Sequence, residues 1–401
     1  MEIISSFINS IFGTLLQMEP VAILKMLVMF AIGGTLIYLA VEKDMEPALL
    51  LPMGLGAILV NLPMSGAITQ IYGSVIEEGP LSVLFDAGIA NELFPLLLFI
   101  GIGAMIDFGP LLSNPKLLLF GAAAQFGIFF TLSLTATIGH FFPDLFTLQD
   151  AAAVGIIGAA DGPTAIFVAN FFGTKYAGAI IVAAYSYMAL VPIIQPPCIR
   201  LVTTQKERMI RMPYTQKDVS RKVRILFPII VTIVAGCVAP RSVALVGFLM
   251  FGNLIRECGV LKSLSDTAQN ALANLITIFL GLTVAVNMTA DKFLNVGTLI
   301  IMVLGLFAFV FDTIGGVMFA KFINLFSKEK INPMIGACGI SAFPMSSRIV
   351  HKMGLAEDRE NFLLMHAAGV NVGGQIASVI AGGLILNLIP KAVEVVEKIV
   401  P

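Results

Sequence analysis

The sequence predicts an all-α polytopic membrane protein of an elevator-type, transporter-like architecture, with two inverted repeats and interrupted helices. Of its 401 residues, 58% are hydrophobic and only 12% are charged, whereas roughly 25% of residues are charged in an average soluble domain. Apolar stretches of about 20 residues, the length that crosses a hydrocarbon core about 30 Å thick, recur along almost the whole chain. The alternation of apolar and polar residues typical of membrane-barrel strands is not seen, so helices are predicted to span the membrane.

These apolar stretches predict about ten to eleven transmembrane helices, the number depending on which interrupted segments also cross. The predicted helices lie near residues 20–41, 47–62, 92–106, 117–141, 176–198, 223–238, 241–255, 271–288, 296–326 and 361–389. The interrupted segments lie near 64–80, 148–172 and 331–347. The first residues, MEIISSFINSIFGTLLQ, lack the basic region and cleavage site of a signal peptide, so an interfacial amphipathic helix is predicted there.

A basic loop from Arg200 to Arg224 divides the chain. It contains eight lysines and arginines against only two acidic residues, Glu207 and Asp218, and such an excess predicts a cytoplasmic loop. The predicted organisation is an interfacial helix at 1–19, N-terminal scaffold helices at 20–80, a first repeat at 81–199, the basic loop at 200–224, further scaffold helices at 225–262 and a second repeat at 263–401.

Three segments of the first half match three segments of the second half in the same order. The matches are 99–112 with 279–293, GAADGP at 158–163 with GISAFP at 339–344, and 184–191 with 368–375. The middle match has an offset of 181 and pairs Pro163 with Pro344. Inverted repeats with interrupted helices meet at the substrate site in many transporters, so a site is predicted where these segments meet.

Asp161, in GAADGPTAIF, is the first candidate site residue. An ionisable group at membrane depth costs about 2.5–3.5 kcal/mol on insertion scales and usually lines a cavity or an ion path. Pro163 frees backbone carbonyls, and Thr164 adds a hydroxyl, so hard oxygen ligands surround the carboxylate. This combination predicts a Na⁺ site, although a helix-capping role for Asp161 stays open.

The second half offers neutral oxygen atoms instead of a carboxylate. Ala342 matches Asp161, and the neighbouring Ser341 and the earlier Asn332 are predicted to be functional. For Ser346 and Ser347, close helix packing is the favoured interpretation.

Asn371, in VNVGGQIASVIAGG, has an amide oxygen that can bind a cation. Gln375 and Ser378 follow it on the same helical face, and both ion binding and hydrogen bonding to a neighbouring helix stay open for them. Arg348 either anchors its segment at the membrane surface or meets an anionic substrate.

Several other classes of function are not predicted. The net charge of −1 and the lack of an aromatic and basic stripe argue against nucleic-acid binding. Four widely spaced cysteines argue against a disulfide framework and a structural zinc site, and three scattered histidines do not form a metal motif. A glycine-rich phosphate loop with its lysine is also missing.

Together, GAADGPTAIF, NPMIGACGISAFPMSSR and GVNVGGQIAS resemble the β subunit of the sodium-pumping biotin-dependent decarboxylases, which act on oxaloacetate, methylmalonyl-CoA or glutaconyl-CoA. The resemblance runs from about residue 20 to the end. It implies a membrane subunit that decarboxylates carboxybiotin, consumes a proton and couples this to Na⁺ export. It also implies a bacterial or archaeal cytoplasmic (inner) membrane.

The resemblance further implies roles for six residues. Asp161, Tyr187 and Arg348 are expected in catalysis, and Arg348 is also expected to bind the cofactor. Na⁺ is expected at Asp161, Asn332, Ser341 and Asn371. The implied cofactors and partners are Na⁺, carboxybiotin held on a partner carrier subunit rather than on this chain, a cytoplasmic carboxyltransferase, a small membrane subunit and further copies of this chain.

Two other functions fit the same residues. A Na⁺-coupled secondary transporter of a carboxylate would have the same repeats and the same aspartate, but it would work without a biotinylated partner. A non-catalytic membrane anchor would have no need to bury Asp161.

Overall fold

The computed structural model describes residues 18–72, 75–213 and 219–399. The predicted interfacial helix at 1–19 lies outside the described residues except for its last two positions. The described α-helices are α1 (Pro20–Glu42), α2 (Pro47–Asn61), α3 (Pro80–Gly88), α4 (Leu93–Met105), α5 (Gly109–Ser113), α6 (Leu118–Ala124), α7 (Phe126–Phe141), α8 (Leu148–Gly155), α9 (Gly162–Phe172), α10 (Ala177–Val202), α11 (Gln205–Arg208), α12 (Arg221–Val238), α13 (Val243–Glu257), α14 (Lys262–Asp266), α15 (Ala273–Val284), α16 (Ala290–Phe293), α17 (Val296–Phe326), α18 (Met345–Glu357) and α19 (Leu364–Ile399).

Shorter elements join these helices. The 3₁₀ turns are Pro115–Leu117, Ile156–Ala159, Pro240–Ser242, Ala285–Met288 and Pro333–Gly339, and a π-helical turn covers Thr267–Leu272. The segment predicted as interrupted near 64–80 forms a β-hairpin instead of a broken helix. In it, β1 (Gln70–Tyr72) pairs antiparallel with β2 (Val75–Glu77), in keeping with the strand preference of isoleucine, valine and tyrosine.

The helices confirm a helical, multi-pass membrane protein. Within the described residues, five helices are long and apolar enough to cross a membrane, or up to seven if two bent helix pairs each form one span. The five are Pro20–Glu42, Pro115–Phe141, Lys262–Met288, Val296–Phe326 and Leu364–Glu394. The predicted number of ten or eleven is not confirmed, because helices such as α2 and α9 are apolar but shorter than a full span.

The chain folds as two compact units. Of the described residues, the first unit comprises those up to Phe94 and 274–299, and the second comprises those within 95–273 and from Ile300 onward. Inside the first unit, α1 and α2 approach closely: a Cβ atom on Gly33 would lie 2.7 Å from the carbonyl oxygen of Gly54. The Asn61 side chain donates to the Met288 carbonyl at 2.8 Å and accepts from the Ala290 N–H at 2.7 Å, which fixes the end of α2.

The second unit contains both Gly/Pro-interrupted segments. We call residues 148–172 the first break segment and residues 331–347 the second break segment. In the first, α8 runs into the 3₁₀ turn Ile156–Ala159, Ala160 takes a left-handed conformation with φ 50°, and α9 starts after Asp161. In the second, the 3₁₀ turn Pro333–Gly339 leads to α18. Helix α19 packs against both segments.

Candidate functional site

Asp161 lies at the gap between two short helical pieces, as the GAADGP sequence at 158–163 predicts. Its side chain is 4% exposed. It caps α9, because the carboxylate accepts the Thr164 backbone N–H at 3.4 Å and the Thr164 hydroxyl at 2.6 Å. The positive end of the helix dipole also favours an anion at this position. The capping role left open for Asp161 is therefore observed, and it leaves carboxylate oxygen lone pairs available for a cation.

The two break segments meet directly beside Asp161. The Ser341 backbone N–H donates to the Ala159 carbonyl at 2.9 Å. The Ser341 hydroxyl donates to the Ser378 hydroxyl, and the Ser378 hydroxyl lies 3.4 Å from Oδ2 of Asp161. Asp161 and Ser341, predicted separately from the two halves of the sequence, thus belong to one polar cluster.

One face of α19 completes this cluster. Asn371 donates from Nδ2 to the carbonyl oxygens of Cys338 and Ile340 at 3.1 and 2.7 Å. Gln375 donates to the Ser341 carbonyl. The backbones are close enough that a Cβ atom on Gly374 would lie 2.3 Å from the Gly339 carbonyl oxygen. The sequence left open whether Gln375 and Ser378 bind an ion or only hydrogen-bond to a neighbouring helix. In the structure, both side chains contact the second break segment.

Two amide oxygens of this face lack hydrogen-bond partners. Oδ1 of Asn371 and Oε1 of Gln375 are buried and accept no hydrogen bond from the described residues. A buried acceptor without a donor costs about 1–3 kcal/mol. Such oxygens fit a cation that is bound through neutral oxygen ligands and one carboxylate. Within the described residues, no group of three His, Cys, Asp or Glu side chains forms a metal cluster.

Tyr187 lies elsewhere in the second unit. It is 6% exposed, and its hydroxyl donates to the Met302 carbonyl on α17. Sequence reasoning missed Tyr185, whose ring packs on the backbone next to Asp161: a Cβ atom on Gly162 would lie 2.0 Å from its Cε1. The buried Tyr185 hydroxyl has no hydrogen-bond partner among the described residues. Tyr185 and Tyr187 are two positions apart on α10. Which of the two side chains faces Asp161 therefore depends on how that helix is rotated about its axis.

Asn332 makes none of the described hydrogen bonds of the polar cluster around Asp161. Its amide nitrogen donates to the carbonyl oxygens of Arg208 and Ile210 at 2.8 and 2.9 Å. Its oxygen accepts the Met334 N–H at 3.1 Å and so caps the 3₁₀ turn that opens the second break segment. Asn332 therefore ties this segment to the basic loop.

Ser346 and Ser347, for which close helix packing was predicted, are buried and form hydrogen bonds. The Ser346 hydroxyl donates to Gln195 and to the Ala337 carbonyl at 3.0 and 3.3 Å, and Ser347 donates to the Pro344 carbonyl at 2.8 Å. Gln195, which the sequence did not single out, also donates to the Ala337 carbonyl at 2.8 Å. These hydrogen bonds stabilise the conformation of the second break segment.

Arg348 is exposed at the start of α18. One turn later, Lys352 lines a groove of about 300 Å³ between α18 and the end of α10. Arg200 contributes a second positive charge to this groove, and Pro196 and Met353 contribute apolar walls. The groove has the properties of a site for an anion with an apolar body.

Ion pairs hold the basic loop in place, and positively charged side chains lower the pKa of acidic residues in these pairs. Arg211 binds Asp358 and Glu360, and Arg208 binds Glu357 at 2.6 Å. The Arg211 guanidinium lowers the pKa of the Asp358 carboxyl. Hydrogen bonds from Thr204 and Lys321, which outweigh desolvation, lower the pKa of Glu207. The loop is thus anchored to the end of α18 through ion pairs.

Comparison with known proteins agrees with these features. Residues 25–389 match the family described as the Na⁺-transporting oxaloacetate decarboxylase beta subunit. The chain is 44% identical to the oxaloacetate decarboxylase beta chain of Klebsiella pneumoniae over 90% of this chain and 94% of that one. It is 48% identical to methylmalonyl-CoA decarboxylase subunit beta of Propionigenium modestum over 90% and 94% of the two chains. The same subunit of Veillonella parvula is also 48% identical, over 90% and 92%.

Proposed function

The chain belongs to the family of Na⁺-transporting oxaloacetate decarboxylase β subunits and is a membrane subunit of a Na⁺-pumping decarboxylase, and we propose that its Na⁺ site is built around Asp161. The observation that carries this proposal is the buried cluster in which Ser378, on the polar face of α19, links the Asp161 carboxylate to Ser341. The free-energy cost of burying a carboxylate in an apolar environment is far lower when Na⁺ neutralises it than when it is free.

In the proposed site, Asp161 supplies the charge, while Ser341 and Asn371 supply neutral oxygens. The unpartnered Oδ1 of Asn371 supports its part in this set. Asn332 is a proposed ligand through the family resemblance alone. Its hydrogen bonds to the Arg208 and Ile210 carbonyls and from the Met334 N–H would have to break before its oxygen could turn toward an ion.

We propose carboxybiotin, presented on a partner carrier subunit, as the substrate that is decarboxylated with consumption of a proton. The groove beside Arg348 supports this, because Arg200 and Lys352 can hold a carboxylate while Pro196 and Met353 contact an apolar ring system. Arg348 would bind the carboxylate at the entrance, since it precedes Lys352 by one helical turn. Tyr187 is a proposed proton donor held in place by its hydrogen bond to Met302.

The proposed partners are a cytoplasmic carboxyltransferase, a biotin-carrier subunit, a small membrane subunit and other copies of this chain. Two relatives are named for oxaloacetate and methylmalonyl-CoA, so either an oxo acid or an acyl-CoA is the proposed source of the carboxyl group. The basic loop supports a cytoplasmic docking side, in a bacterial or archaeal cytoplasmic membrane.

The proposed architecture has ten or eleven crossings and inverted repeats at 81–199 and 263–401, with the break segments moving as one block in an elevator-type cycle. The hydrogen bond between Ser341 and Ala159 supports movement of both break segments together, because it joins their backbones. The scaffold helices at 20–80 and 225–262 are proposed to stay fixed.

One experiment tests the function. The purified chain is assayed for CO₂ release from free carboxybiotin with and without Na⁺, for the wild type and for Asp161→Asn, with folding of both verified. Na⁺-stimulated release in the wild type that disappears in Asp161→Asn is expected. If the folded wild type releases no CO₂ even with its partner subunits, while it transports a carboxylate with Na⁺ in liposomes, a secondary transporter replaces this proposal.

A further inference from the structure

Asp312 is a second buried carboxylate that the proposed function does not use. It lies near the middle of α17, in the apolar run FAFVFDTIGGVMF, and is 0% exposed. The same helix is one of the segments long and apolar enough to cross a membrane. A lone ionisable residue in such a helix is costly and usually serves a function.

The two carboxylate oxygens of Asp312 have different environments. Oδ1 accepts the Ile128 backbone N–H at 3.1 Å. Oδ2 has no hydrogen-bond partner among the described residues. A Cβ atom on Gly158 would lie 2.5 Å from Oδ2, and one on Gly127 would lie 2.5 Å from Oδ1. The carboxylate is therefore wedged between α7 and the 3₁₀ turn that precedes Asp161.

The elements that touch Asp312 bring no positive charge to it. Asp161, three residues after Gly158, is acidic, and Asp150 on the same break segment is bonded to Thr147 and Thr174. His140 is exposed at the far end of α7. On the Asp312 helix itself, Lys321 pairs with Glu207 at 3.1 Å. Among the described ion pairs, none includes Asp312.

An unpaired buried carboxylate costs several kcal/mol, so a positive ion must neutralise it. We propose that Asp312 is a proton-binding site and that its side chain is a neutral carboxylic acid in this conformation. The tight approach of Gly127 and Gly158 favours a proton over Na⁺, because a proton needs no further oxygen ligands and no added space.

The site would affect the neighbouring carboxylate. Loss of the proton would place a negative charge against Gly158, in the same turn that positions Asp161. Na⁺ binding at Asp161 and proton binding at Asp312 are therefore coupled, in either direction. This coupling rests on the proposed Na⁺ site, whereas proton binding at Asp312 does not.

Infrared spectroscopy of the full chain in lipid tests the proton site without any assay of activity. The wild type is expected to show a carboxylic-acid C=O band that shifts when all aspartates carry ¹³C in the carboxyl group. The band should vanish in Asp312→Asn and shift in Asp312→Glu. It should persist in Asp161→Asn and in Asp266→Asn, a control for loss of an exposed acid.

Three outcomes overturn the proposal. The first is a labelled wild type without a protonated aspartate band, which needs no variant and so decides the case if Asp312→Asn does not fold. The second is a band that vanishes only in Asp161→Asn. The third is a loss of one bound Na⁺ per chain in Asp312→Asn, measured with radioactive Na⁺, which would make Asp312 a Na⁺ site. If the band behaves as expected but Asp161→Asn binds Na⁺ normally, the proton site stands and the proposed Na⁺ site fails.

Discussion

The two break segments are built from matching sequences yet differ in how their polar groups are satisfied. The first carries a carboxylate, and its own helix α9 supplies the donors to Asp161 through Thr164. The second carries no charge near its turn, and side chains from outside it, Asn371 and Gln195, donate to its carbonyl oxygens.

This difference indicates that the two break segments make different contributions to the proposed Na⁺ site. A single positive ion can be neutralised by a single carboxylate, and a second buried charge would only add a desolvation cost. In the proposed Na⁺ site, the second segment contributes its shape and neutral oxygens, and α19 positions them. Position 342 fits this interpretation, because Ala342 packs in a small apolar cluster with Ala160, Val191, Phe309 and Ile340.

The largest effect is expected from removing the charge of the first segment. Asp161→Asn should weaken Na⁺ binding by about 3–4 kcal/mol, roughly 100- to 1,000-fold, because the ion then lacks its only proposed anionic ligand. Radioactive Na⁺ binding to the purified chain measures this.

Asp150→Asn is the matched control, since Asp150 is also 4% exposed in the first break segment but is bonded to Thr147 and Thr174. It should lower thermal stability and leave Na⁺ affinity within a few-fold. Equal losses of affinity in the two variants would show that the charge of Asp161 has no special role.

The next effect tests whether the side chain of α19 that contacts the second break segment must stay neutral. Asn371→Asp removes the donor to the Cys338 and Ile340 carbonyls and places a charge beside them. It should lower the free energy of unfolding by about 2–3 kcal/mol, measured by thermal unfolding in detergent. Asn361→Asp, which loses one hydrogen bond to Arg208, should cost less. If Asn371→Asp is as stable as the wild type, the contrast between a charged first break segment and a neutral second one is wrong.

Removal of a neutral oxygen should have a smaller effect. Ser341→Ala should weaken Na⁺ binding by about 1–1.5 kcal/mol, or roughly 10-fold, because one hydroxyl ligand is lost and its backbone bond to Ala159 remains. Ser347→Ala is the control, since that hydroxyl bonds only locally to Pro344, and its Na⁺ affinity should not change. An unchanged affinity in Ser341→Ala would remove this residue from the ligand set.

Sequence reasoning predicted the parts of the fold that depend on local pattern. The helix at 296–326 and the break at 148–172 were found because apolar length and a Gly-Pro interruption are visible along the chain. The sequence match also predicted that the two break segments meet, and in the structure Ser378 links Asp161 of the first to Ser341 of the second. Asp312 was missed, since one carboxylate barely lowers the hydropathy of a 31-residue helix. Gln195 was missed because its partners lie in a distant segment.

The smallest effect concerns the choice between two tyrosines, which depends on how α10 is rotated. Tyr187→Phe should lower the free energy of unfolding by about 1 kcal/mol, because the hydrogen bond to Met302 is lost. Tyr185→Phe should cost less, since its hydroxyl has no partner among the described residues. However, the ring carbon that bears the Tyr185 hydroxyl lies against Gly162, next to Asp161, so loss of that hydroxyl in Tyr185→Phe should change Na⁺ affinity more than Tyr187→Phe does. If Tyr187→Phe has the larger effect on Na⁺ affinity, the ion lies closer to α17 than to the Asp161 cluster. The contributions assigned to the two break segments are then wrong.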